Sequence, residues 1–83
     1  MRTTLGGTVS FEARSTDDLV RIAVAGGGFR IDAGDRSTDD LIRIAVSASS
    51  WGARMVFAGM DGRSTDDLVR IAEAGEGTVE FEG

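Results

Sequence analysis

The sequence predicts a small α/β fold in two layers, βαβαβαβ. Its four-stranded, mainly parallel sheet is expected in the order 1-2-3-4, with three helices on one face. Three observations carry this expectation. First, the decapeptide Arg14-Ser15-Thr16-Asp17-Asp18-Leu19-Val20-Arg21-Ile22-Ala23 returns, with a single Val-to-Ile change, over residues 36–45, and again over 63–72. Second, each copy reads as an amphipathic helix with its own start signal. Third, the segments around the copies alternate apolar and polar residues, the period of a strand with one buried face. Strands that alternate with helices of about eleven residues make βαβ units and a parallel sheet.

Taken in order, Thr8 to Ala13 alternates, with Val9, Phe11 and Ala13 on the inner side, and reads as the opening strand. The first helix runs from Ser15 to about Ala25. The Ser15 hydroxyl can accept a hydrogen bond from a first-turn N–H that otherwise lacks a partner. Asp17 and Asp18 sit at the positive end of the helix dipole, where each carboxylate gains about 0.3–1 kcal/mol. Asp17 and Arg21 are spaced as an i,i+4 ion pair with the acid on the favoured side. Gly26-Gly27-Gly28 ends the helix.

Phe29 to Ala33 is the second strand, and Gly34-Asp35-Arg36 turns the chain into the second helix. That helix starts at Ser37 and has about one extra turn, through Ser47, Ser49, Ser50 and Trp51, before Gly52 stops it. The third strand is Arg54 to Met60. Val56, Ala58 and Met60 add apolar groups to its polar side, as in a strand partly covered on its second face. Ser64 to Ala74 is the third helix, ended by Gly75. Thr78 to Glu82 closes the chain as a fourth strand, with Val79 and Phe81 inward. The expected core packs Leu19, Ile22, Leu41, Ile44, Leu68 and Ile71 on Val9, Phe11, Phe29, Ile31, Phe57, Val79 and Phe81. Right-handed crossovers on one face step the strands sideways in chain order. Glu73 stands where the other copies have Val24 and Val46, as expected of a terminal unit that no neighbour covers.

At 83 residues the chain is expected to be one domain, 1–83. Its repeats span about 14–35, 36–62 and 63–83, preceded by the strand at 8–13. A net charge of −5 argues against nucleic acid, since phosphate binding needs a basic surface. No apolar run is long enough to span a bilayer and no targeting signal is expected, so a soluble chain with no membrane partner is the reading. The chain contains no Lys, Pro, Cys, His, Tyr, Asn or Gln, and all nine basic residues are Arg. Either an artificial, reduced-alphabet sequence or a duplicated natural segment with a narrow vocabulary accounts for this; the breadth of the absences favours the first.

In architecture the alternation of strand and helix resembles leucine-rich-repeat α/β solenoids, although their leucine-and-asparagine signature is absent. The triple Arg-Ser-Thr-Asp-Asp-Leu and the missing residue types resemble a designed α/β repeat domain more closely. That resemblance implies a scaffold without an evolved ligand, expressed recombinantly in the cytoplasm.

Candidate chemistry is sparse. The helix starts bring Asp17, Asp18, Asp39, Asp40, Asp66 and Asp67 to one sheet edge. Such a rim offers oxygen ligands for Mg²⁺ or Ca²⁺, although helices about 8–10 Å apart separate most pairs too far to share an ion. Gly26-Gly27-Gly28 follows a helix, whereas a phosphate-cradling loop precedes one. Without His, Cys, Lys or Tyr, general acid-base chemistry reduces to Asp and Glu, so no enzyme, catalytic residue, cofactor or small-molecule ligand is expected. The remaining candidate is an interaction surface on the open sheet face or an edge strand, formed by Trp51, Val56, Ala58 and Met60. A monomer with that face in water and a homodimer that buries it are both compatible with the sequence.

Overall fold

A computed structural model describes residues 14–83 of the chain. Six elements follow one another: α1 (Thr16–Val24), β1 (Phe29–Asp32), α2 (Thr38–Trp51), β2 (Met55–Ala58), α3 (Thr65–Gly75) and β3 (Val79–Phe81). The sheet among these residues has three strands, not four, in the order β1-β2-β3. Both pairings are parallel, with Ile31 opposite Phe57 and Phe57 opposite Phe81. The α/β alternation and sequential order are therefore as expected. The expected strand over 8–13, with Val9 and Phe11, lies outside the described residues.

Each helix begins as its serine dictates. The Ser15, Ser37 and Ser64 hydroxyls accept from the N–H groups of Asp18, Asp40 and Asp67 at 3.1, 3.1 and 3.2 Å. Two acids in each first turn complement the dipole. The ends differ. α2 continues through its serines to Trp51, with Ser47 Oγ donating to the Arg43 carbonyl at 3.1 Å, and stops at left-handed Gly52. Gly75 is not the cap of α3 but its buried last residue, set against Val79; Glu76 takes the left-handed cap at φ 47°. A side chain with a Cβ is strained there. Glu76→Gly should raise stability by about 0.5–1 kcal/mol, read as a higher thermal midpoint. A fall would show that the last turn is not held this way.

The core lies between the helices and one face of the sheet. Leu19, Leu41, Ile44 and Ile71 are fully enclosed with Ile31, Met55 and Phe57. Ile22, Leu68, Val79 and Phe81, expected in the core, are only partly buried at its rim. Small residues (Ala23, Ala45 and Ala48) let the helices close on one another. Gly28 brings the end of the α1–β1 loop against β2, since a Cβ there would overlap the Arg54 carbonyl. That carbonyl accepts from the Phe29 N–H at 3.1 Å, which begins the β1–β2 pairing.

The apolar groups expected on the second face of the sheet are not all there. β2 ends at Ala58 because Gly59 adopts φ 75°, breaking the alternation that would have put Met60 on the polar side. Met60 turns into the core instead and is 2% exposed. Across the same face Arg30 on β1 reaches Glu82 at 2.7 Å, spanning the middle strand, and Arg54 reaches Glu80 at 2.7 Å. By register Val56 and Ala58 lie beneath that span. Long arginine stems cover apolar surface in this way, in keeping with an Ala58 only 7% exposed. Among the described residues no helix is long and apolar enough to cross a membrane.

Candidate functional site

The residues that recur with the same partners are those joining one helix unit to the next. The second and third decapeptides open with an arginine just outside the helix, placed by a turn in which that arginine's N–H bonds a carbonyl three residues back: Arg36 to Ala33 and Arg63 to Met60, both at 3.1 Å. The side chain then points back to the preceding unit. Arg36 Nη1 donates to Thr16 Oγ1 at 3.1 Å and Nη2 to the Arg14 carbonyl at 2.6 Å. Arg63 repeats the pattern one unit on. Its Nη1 donates to Thr38 Oγ1 at 2.9 Å, and its Nη2 to the carbonyls of Ala33, at 2.8 Å, and Arg36. Arginine suits this role because its planar fork carries several fixed donors. Arg63 Nε is enclosed without an acceptor, so the gain is not complete.

A second link lies on the outer helix surface. Arg43 Nη2 meets Asp17 Oδ1 at 2.7 Å, and Arg70 Nη2 meets Asp39 Oδ1 at 3.5 Å. Asp17 thus pairs with the next helix and not with Arg21 in its own. The Asp17 hydrogen bond and charge hold the Arg43 proton more tightly than usual. Both pairs are largely exposed, so each contributes little to stability and mainly fixes register. Thr16 Oγ1 also donates to Asp40 Oδ2 at 3.3 Å.

These bonds account for most of the acidic rim. Asp17 and Asp39 hold arginines of the following helix, Asp40 accepts from Thr16, and Asp67 lies 3.7 Å from Arg70. Asp18 and Asp66 lie exposed at opposite ends of the helix row. Among the described residues no three carboxylates come together as a metal site. Of the expected interaction residues, Trp51 is 60% exposed at the end of α2 and Val56 is half-buried, while Ala58 and Met60 are buried within this chain. The four do not form one surface.

The row of helices has two unlike ends. On its inward side each unit presents an isoleucine to the unit before it: Ile44 and Ile71 are fully buried, whereas Ile22, with no described helix before it, is only partly covered. On the other side Val20 and Ile42 pack beneath the following helix, whereas Val69 is 46% exposed. Val24, Val46 and Glu73, expected to distinguish inner units from the last, all point outward and are exposed. The mark of the terminal unit is Val69.

No protein-family model matches this chain, and comparison with curated proteins and with solved structures finds no match.

Proposed function

We propose that the chain is an artificial or simplified α/β repeat scaffold whose side chains serve folding and stacking, with no evolved ligand and no catalytic activity. One observation carries this reading: the same positions of the decapeptide make the same bonds to the neighbouring unit at both junctions. The repeated sequence thereby encodes its own stacking. The absence of His, Cys, Lys and Tyr from the sequence and the acidic net charge agree with it, since they disfavour general-base chemistry and nucleic acid alike.

A scaffold of this kind should tolerate another unit. In repeat proteins stability is close to a sum of unit and junction contributions, so an added inner unit adds one favourable junction. A chain with residues 36–62 duplicated in tandem should keep its helical content per residue. It should also unfold with a steeper denaturant dependence and a higher midpoint. A duplicated chain that failed to fold, or unfolded earlier, would overturn the reading. The exposed Val69 and Asp66 on the last helix favour a second reading, a self-associating module.

A further inference from the structure

The internal junctions supply a template for an external one. The side of α1 that faces away from α2 carries an open depression of about 370 Å³ lined by Arg14, Asp18, Arg21, Ile22 and Ala25. In the second unit the residues equivalent to the first four are Arg36, Asp40, Arg43 and Ile44. Those four engage α1: Arg36 and Asp40 bond Thr16, Arg43 bonds Asp17, and Ile44 is fully buried. The depression therefore has the residues of an internal junction with no helix seated against it among the described residues.

The matching half is at the far end. Thr65, Asp66 and Val69 of α3 occupy the positions at which Thr16, Asp17 and Val20 receive α2. Thr65 is exposed where Thr16 and Thr38 are half-buried, and Val69 is exposed where Val20 and Ile42 are packed. Asp66 is exposed where Asp17 and Asp39 each hold an arginine. One end offers an aspartate and a valine, the other an arginine and an isoleucine.

From this complementarity we propose that the chain associates head to tail with a second copy of itself. The α3 face of one copy seats in the α1 depression of the next, and Asp66 pairs with Arg21 as Asp17 pairs with Arg43. This rests on the stacking encoded by the repeat. The contact is heterologous, so it leaves a free end on each copy and does not close at a dimer.

Sedimentation equilibrium of the full chain tests it. The expected result is an average mass that climbs with concentration from 8.7 kDa through dimer and trimer without a plateau. Asp66→Arg and Arg21→Asp place like charges at the joint. Each alone should raise the concentration needed for association by about 2- to 30-fold. An equimolar mixture of the two variants should restore association, because each new charge then finds its opposite. Asp66→Asn, which keeps the side-chain shape, should weaken association in the same direction. Circular dichroism establishes that each variant is folded. A chain that stays at 8.7 kDa at every concentration would overturn the proposal. So would a dimer plateau indifferent to both charge reversals, or folded variants whose mixture does not reassociate. The tandem-duplication result is read on stability and not on mass, so either reading can fail while the other stands.

Discussion

Leu41→Ala should lower the unfolding free energy by about 2–5 kcal/mol. Leu41 lies on the central helix and is fully enclosed in the core cluster with residues of both other helices. Its removal takes away apolar transfer energy and leaves a cavity that helices tied at their arginine links are poorly placed to fill. A chain of 83 residues has a total stability of about 4–12 kcal/mol, so this one truncation would consume much of it. Denaturation followed by circular dichroism gives the value. A midpoint equal to that of the parent would mean the layers are not packed as described.

Arg63→Ala should cost about 2–3 kcal/mol, from hydrogen bonds to a charged donor and the acceptors left behind. Three acceptors converge on this guanidinium: Thr38 Oγ1 and the Arg36 carbonyl of the preceding unit, and the Ala33 carbonyl just before that unit. Arg63→Lys keeps the charge but not the fork, and should recover only a minor part of the loss. The contrast is Arg30→Ala on the sheet face. Its ion pair with Glu82 is about half exposed, and its loss should stay within about 1 kcal/mol. If Arg63→Ala proved no more harmful than Arg30→Ala, the arginine links would be incidental to the fold.

What the sequence made legible were the features set by neighbours in the chain. Ser15, Ser37 and Ser64 announce three helix starts because the capping bond reaches only three residues ahead. Gly52 stops α2 for an equally local reason. The errors came where distant partners decide. Asp17 has Arg21 at helical spacing, but Arg43 on the neighbouring helix takes it. Met60 continues an apparent strand pattern, and only the left-handed turn at Gly59 shows that the pattern has ended. That turn folds back on β1: Asp32 Oδ1, which accepts from the Gly34 N–H at 3.1 Å, lies where a Cβ of residue 59 would sit.

The arginine links are not legible because their acceptors are 20 to 30 residues away and three are backbone carbonyls, which no side-chain pattern reveals. A signal was present nonetheless. Arg14, Arg36 and Arg63 precede the helix cap in all three copies, where nothing local requires an arginine.

The strands are short, at four, four and three residues. This has a bearing on aggregation. An exposed edge invites indiscriminate strand addition in proportion to the length of unpaired backbone it displays. β3 displays three residues, with Glu80 tethered to Arg54 and Glu82, just past its end, to Arg30. A foreign strand arriving there would find charge close beside the backbone, a condition that works against a growing cross-β stack. A poor template for amyloid-like growth at the β3 edge would thus sit beside the charge-matched joint proposed for the helices.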